Sequence, residues 1–309
     1  MSVNIDRDLI RRFESGLDPI DLEASEIPVH VLGYGEISTV FQIGDGTDLA
    51  YKRMPLFHSR AEAEQYITHY RQYCQWLREA GLVLPDDETL VTDQPGRPTV
   101  LYIGQKQLPA ERFCHQLIRS MNEHDFKLLV EKICAEIQKI WLFNESHLPS
   151  LELAIDGQLS NWVWLPGDAG GEMVYTDTST PLFRIDGQEQ LNPELFLQSA
   201  PSFLRWIIRW LFLSDVMNRY YDRRQVYIDL AANLHKEQRP DLVPAAVDVI
   251  NNHLTREPDP LTVKEVEKYY KEDRLIWSLF LAFRRFDRRL KTKLFRQRYE
   301  FILPGKIER

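Results

Sequence analysis

Residues 29–55, VHVLGYGEISTVFQIGDGTDLAYKRMP, decide the fold. Residues 29–32 (VHVL) read as a strand, Gly33-Tyr34-Gly35 as a turn, 38–43 (STVFQI) as a second strand and 49–54 as a third that Pro55 closes. Between the last two, Gly44-Asp45-Gly46 is a strong hairpin signal, because two glycines supply the positive φ that tight turns need. Working outward, residues 59–80 (SRAEAEQYITHYRQYCQWLREA) predict a helix with Gly81 as its stop. Strands are expected over 89–92 and 99–105, separated by the turn Gln94-Pro95-Gly96-Arg97-Pro98. Upstream, 4–24 predicts a short amphipathic helix and a linker, with Ile5, Leu9, Ile10 and Phe13 on one side.

After Pro109 the period changes from two to 3.6. Residues 125–143 place Phe126, Leu129, Val130, Ile133, Ile137, Ile140 and Trp141 at three-to-four spacing, the mark of an amphipathic helix. Short strands are expected over 161–165 and 172–177 around a Gly-rich turn, and from Pro193 onward helices over 201–222, 223–236, 241–254, 262–270 and 272–294. The expected architecture is α+β: a small antiparallel sheet with one helix in front, a larger, mainly helical part behind, and a cleft between two lobes. The boundaries that follow are 1–26 for an N-terminal helical extension, 27–108 for the small lobe and 109–309 for the helical lobe with its basic tail.

Composition narrows the class. Hydrophobic residues make up 44% of 309 and charged residues 27%, which excludes a largely disordered chain. The most apolar stretch, 203–217, carries Arg205, Arg209 and Asp215 and so reads as a buried helix, not a membrane span. The first sixteen residues lack the apolar core and small-residue site of a signal peptide, and three widely spaced cysteines make neither a disulfide framework nor a zinc site; a cytoplasmic location is the expectation. The net charge of −8 divides into +7 from residue 283 onward and −15 before it. Such a basic end meets phosphate or an anionic membrane, or simply neutralises the acidic body. The arginine–aromatic alternation at 206–221 and 277–299 fits buried helices with outward arginine stems, and nucleic-acid binding is not expected.

Three segments carry chemistry. Gly33-Tyr34-Gly35-Glu36-Ile37-Ser38 joins two strands, where glycines let backbone N–H groups approach phosphate oxygens; no helix follows, so it is neither a P-loop nor a dinucleotide fingerprint. Lys52, on the third strand, can reach those phosphates, and a carboxylate on the next helix, Glu62 or preferably Glu64, can hold it. Finally, Asp156, Asn161 and Asp177 emerge at strand ends and a loop, offering the oxygen ligands that Mg²⁺ prefers and a carboxylate that takes a hydroxyl proton. Each has a plain structural alternative as a turn cap or strand end.

In this order, G33-Y-G-E-I-S38 with Val40, A50-Y-K-R53, D156-x4-N161 and Asp177 resemble the protein-kinase-like superfamily, with 104 residues from Lys52 to Asp156 and 21 more to Asp177. The resemblance covers roughly residues 28–181 and implies a bilobal kinase-like fold with bound ATP and Mg²⁺. It implies that Gly33, Gly35 and Ser38 lie over the nucleotide phosphates and Val40 against the adenine, with Lys52 on the α- and β-phosphates, held by Glu64. Residues 105–108, from Gln105, would form the hinge at the adenine edge. Asp156 would act as base, with Asn161 and Asp177 as Mg²⁺ ligands. Ala154-Ile155 stand where a His or Arg usually precedes the catalytic Asp, Thr178-Ser179-Thr180 follow Asp177 in place of Phe-Gly, and Asn192-Pro193-Glu194 only faintly matches the end of an activation segment. The chain is therefore closer to the aminoglycoside and choline kinase branch than to protein kinases. Glu36 is expected to face solvent. The implied activity is phosphoryl transfer from ATP to a hydroxyl of a small-molecule or lipid-like acceptor, with a protein hydroxyl as a variant. An anionic acceptor follows if the basic segments at 220–224 and 284–289 line the cleft, and peripheral membrane contact if the tail meets lipid. The alternative is a kinase-fold scaffold that is inactive or performs nucleotidyl transfer.

Overall fold

The computed structural model describes residues 3–35, 37–46, 48–167, 170–192, 194–195, 213–255 and 259–305, with backbone only for 213–216. Glu36, Pro193 and the first part of the helix expected over 201–222 lie outside the described residues.

The chain opens with helix α1, Arg7–Gly16, whose N-terminus is capped by the Asp6 carboxylate on the N–H groups of Asp8 and Leu9. Five strands follow: β1 (Val29–Tyr34), β2 (Thr39–Ile43), β3 (Leu49–Phe57), β4 (Asp87–Thr92) and β5 (Thr99–Lys106). They form one antiparallel sheet in the order β1-β2-β3-β5-β4, and helix α2, Arg60–Glu79, carries the chain from β3 to the far edge. Ser59 caps α2 at Glu62, and Gly81, at φ +94°, ends it where a side chain would be strained. Pro55 does not close β3. The ladder slips between Met54 and Phe57, so the residue without an N–H sits in an irregularity and the strand continues.

Strand alternation divides the core. Leu101 and Ile103 of β5 face α2 together with Met54 and Leu56, whereas Val100 and Tyr102 face α1 together with Phe41, Ile43 and Tyr51. Lys52 and Arg53 therefore leave β3 toward opposite faces, opposite Ile103 and Tyr102 respectively.

The rest is mainly helical: α3 (Cys114–Leu117), α4 (Glu123–His147), α5 (Leu213–Tyr221), α6 (Arg223–Lys236), α7 (Val243–His253) and α8 (Val263–Arg289). The apolar stripe of α4 is buried from Phe126 to Ile140 as its spacing predicts. Helix α8 is continuous where two helices were expected, because nothing near Lys271 breaks it and a Thr262–Glu265 capping box starts it. Between the sheet and the helices lie two small sheets: the hairpin β7 (Trp162–Leu165) with β8 (Glu172–Tyr175), and β6 (Leu151–Leu153) paired with β9 (Phe183–Ile185), itself paired with β10 (Gln188–Glu189). The β9–β10 hairpin is absent from the sequence reading, although Asp186-Gly187, at φ 47° and 73°, is a standard hairpin signal. The architecture is α+β. Among the described residues no helix is long and apolar enough to cross a membrane.

Candidate active site

The register of the large sheet lines up one row of residues: Gly33 opposite Val40, Val40 opposite Lys52, and Lys52 opposite Ile103. Directly opposed residues share a face, so the glycine loop, Val40 and the Lys52 ammonium lie on the α2 side. The loop itself is tight. Gly35 N–H donates to the Ser38 carbonyl at 2.9 Å, and a Cβ on Gly35 would lie 2.8 Å from Ser38 Oγ.

Lys52 Nζ donates to Asp177 Oδ1 at 2.9 Å, to the Thr176 carbonyl at 3.2 Å and to Ser179 Oγ at 3.4 Å. Burial alone would raise the Asp177 pKa, but the Lys52 ammonium outweighs it, with help from Ser179, and holds the carboxyl below its ordinary range. Asp177 lies two residues past β8, on a segment pinned from several sides. Tyr66 OH donates to the Ser179 carbonyl at 2.5 Å, Tyr70 OH meets Thr178 Oγ1 at 3.4 Å, and Gln105 Nε2 donates to Thr178 Oγ1 at 3.0 Å and the Thr176 carbonyl at 3.3 Å. Thr178 and Ser179 are buried in the positions where the resemblance leads one to expect Phe-Gly.

Two assignments need correction. Glu64 is exposed, 3.9 Å from Arg60, and lines a cavity of about 390 Å³ bounded by α1, α2 and β4; it does not reach Lys52. Glu62 accepts from the His58 N–H at 2.7 Å, closing the start of its own helix. The physical reason is helical phase. Ala63, Tyr66, Ile67, Tyr70 and Tyr73 define the inward face of α2, and the glutamates fall outside it. Gln105, the first residue of the expected hinge, turns its amide inward onto residues 176 and 178.

Asp156 follows β6, where Tyr73 OH donates to the Ala154 carbonyl at 2.8 Å. Its Oδ1 accepts from the Gln158 N–H at 3.1 Å, and Asn161 Nδ2 donates to the Asp156 carbonyl at 3.2 Å. Asn161 also joins the two carboxylate-bearing segments, because its carbonyl accepts from Thr176 N–H at 2.9 Å. Gly157 allows α6 to approach: a Cβ there would lie 2.9 Å from Val226 Cγ1 and 3.0 Å from Ile137 Cδ1. Asn233 Nδ2 donates to Gln158 Oε1 at 3.3 Å. Val226, Asp229 and Asn233 share one face of α6, so Asp229 is set against the Asp156 loop between two contacts. Burial, then the charges of Asp229 and Asp177, push the Asp156 pKa up to about 8. The Asp229 pKa is also raised, by burial and by Asp273, against the opposing pull of Lys236, which pairs with Asp273 at 3.4 Å.

The structure thus brings Lys52, Asp156, Asn161 and Asp177 to one place, with Val40, Gly33, Gly35 and Ser38 on the sheet above. Sequence reasoning missed Asp229 and the Tyr66, Tyr70 and Tyr73 stripe. Their signals were an acid among apolar residues in YIDLAANL and three phenols on one face of a polar helix.

The chain belongs to the family DUF6206, a family of unknown function, whose model matches residues 20–288. No curated protein matches it.

Proposed function

We propose that the chain is an ATP- and Mg²⁺-dependent phosphotransferase of bilobal protein-kinase-like fold, moving the γ-phosphoryl group to a hydroxyl of a small-molecule or lipid-like acceptor. The observation that carries this reading is the 2.9 Å Lys52–Asp177 pair, joined through Thr176 and Asn161 to the Asp156 loop. The sheet order β1-β2-β3-β5-β4, with α2 between β3 and β4, supports it.

The donor set fits the metal. Asp177 commits Oδ1 to Lys52 and Ser179, and Asn161 commits Nδ2 to the loop, which leaves Asp177 Oδ2 and Asn161 Oδ1 as ligand oxygens. Among the described residues no three His, Cys, Asp or Glu side chains form a metal cage, but Mg²⁺ on a nucleotide needs only one or two protein oxygens beside phosphates and water. Bound Mg²⁺–ATP supplies the transferable group and neutralises its charge. Lys52 would hold the phosphate oxygens in place of the Thr176 carbonyl and Ser179 while keeping Asp177 in position. The Gly33–Ser38 turn would lie over the phosphates, and Asp156 would accept the acceptor's hydroxyl proton. The raised pKa of Asp156 suits a base that works near neutrality.

Asp156→Ala tests the assignment. Calorimetric Mg²⁺–ATP affinity should stay within about twofold, while phosphoryl transfer from labelled ATP falls about 10²–10⁴-fold, the range for a lost general base. Full transfer by Asp156→Ala would sink the mechanism. The scaffold reading has one observation in its favour: the Lys52 ammonium is held by the Asp177 segment, with no carboxylate of α2 beside it. Failure of the wild type to bind any nucleotide is the outcome that selects it.

A further inference from the structure

Helix α8 has two faces of opposite character. Its inner face anchors it: Val266 and Leu281 are buried, and the Arg284 guanidinium lies 5.4 Å from the Phe280 ring centroid and 5.2 Å from that of Phe301. Its outer face carries Leu275, Leu279, Phe283 and Phe286, which are 61%, 49%, 38% and 54% exposed. Spacings of four, four and three residues place these on one stripe. The stripe from Leu275 to Phe286 is about 17 Å long at 1.5 Å per residue, and Leu294 and Phe295 just beyond the helix are also exposed.

A contiguous exposed apolar ridge of this kind marks an interaction surface. Its charge setting indicates which one. Lys271, Arg274 and Arg289 are exposed and share the flank beside the stripe, and Lys293 and Arg296 extend the positive run beyond the helix. Of the acids within this stretch, Asp287 is buried and paired with Lys291 at 3.0 Å, Asp273 pairs with Lys236 at 3.4 Å, and the exposed Glu272 lies 3.9 Å from Lys268, so the exposed charge beside the stripe stays positive. The segment from residue 283 carries +7 on a chain that is otherwise acidic. Apolar side chains along a ridge with a cationic flank are the pattern of a helix that lies in the plane of an anionic bilayer, with its apolar face at the acyl boundary and its cations at the headgroups. The helix is too polar to cross.

We propose that the outer face of α8 docks this protein on an anionic membrane surface. Attachment is peripheral and reversible, and combines apolar insertion with electrostatic attraction, so it weakens as salt rises. This docking does not depend on the phosphotransferase reading. The same helix carries Asp273 two residues before the stripe and so connects the surface to the Lys236–Asp229 group beside Asp156.

The test is co-sedimentation of the full chain with phosphatidylcholine vesicles, with and without phosphatidylserine. The wild type should sediment with the phosphatidylserine vesicles and be released by high salt. Leu279→Glu with Phe283→Glu should weaken binding at least about tenfold, with circular dichroism and melting unchanged, since both positions are exposed. Arg274→Gln with Arg289→Gln should weaken it through charge alone. Leu128→Glu, a control at an exposed leucine on α4, should bind as the wild type does. No sedimentation of the wild type, or equal binding by the Leu279→Glu/Phe283→Glu variant, overturns the proposal. So does a wild-type dimer that this variant splits, which would make the ridge a contact between copies of the chain.

Discussion

Asp156 carries a charge the fold disfavours. Burial and the neighbouring Asp229 and Asp177 carboxylates raise its pKa from the ordinary 3.8 to about 8. Between those values the folded state keeps a proton that the unfolded chain releases, so this residue makes stability fall as pH rises through that window. Asp156→Asn removes the titration. Its melting temperature should pull ahead of the wild type from about pH 4 upward, with a gap growing by at most about 1.4 kcal/mol per pH unit, and level off above about pH 8. Parallel melting curves for the two proteins across that range would show that Asp156 is not held in this environment. Lys52 and Asp177 behave oppositely: each satisfies the other, and removing either strands the partner.

At the scale of elements, what was legible followed local period. The alternation in 29–54 correctly placed Val40 and Lys52 on strands, whereas Gly33, read as the start of a turn, still belongs to β1; the antiparallel register puts all three in one row. The α4 stripe was legible for the same reason, as apolar residues at helical spacing have one face to bury. The partner of Lys52 was not, although the phase of α2 contained the answer: Ala63, Tyr66 and Tyr70 set the inner face, and Glu64 lies off it. Tyr66, Tyr70 and Tyr73 were not singled out, because their partners (the Ser179 carbonyl, the Thr178 hydroxyl and the Ala154 carbonyl) are brought from more than eighty residues away. The same limit hid Asp229, whose neighbour Asp156 is supplied by tertiary packing through Gly157.

Across the whole molecule, both chain ends close on the back of the strand whose front bears Lys52. Arg53 donates to Glu14 Oε2 at 2.7 Å and Oε1 at 2.8 Å, to the Glu300 carbonyl at 2.8 Å and to Glu300 Oε2 at 3.0 Å. Arg97 bridges the same two glutamates, and Tyr102 OH donates to Glu14 Oε2 at 2.5 Å. Part of the basic tail is therefore structural: residues 299–303 return to the sheet, and Ile302 joins the α1 core. Arg53→Ala removes the most deeply buried cation of the network, leaving Glu14 to Arg97 and Glu300 to Arg97 and Arg298, and should cost up to about 3–5 kcal/mol in urea unfolding. Burial alone would raise the Glu14 pKa, but Arg53, Tyr102 and Arg97 outweigh it and lower the net value. Its stabilisation is thus present above the ordinary 4.5 and is lost as pH falls through the folded value, so the wild-type advantage over Arg53→Ala should shrink in acid. An Arg53→Ala protein as stable as the wild type would mean that the two termini are not held by this network.

The most direct measurement is thermal unfolding with and without Mg²⁺–ATP on the wild type, Glu64→Ala and Asp177→Ala. At about 100 times the dissociation constant, ligand should add about 2.7 kcal/mol to the stability of the wild type. Glu64→Ala should shift equally, because Glu64 faces away from Lys52, whereas the shift should require Mg²⁺ and vanish in Asp177→Ala. A wild type that does not shift with Mg²⁺–ATP, or an Asp177→Ala protein that shifts as much, would contradict a nucleotide site built on Lys52 and Asp177.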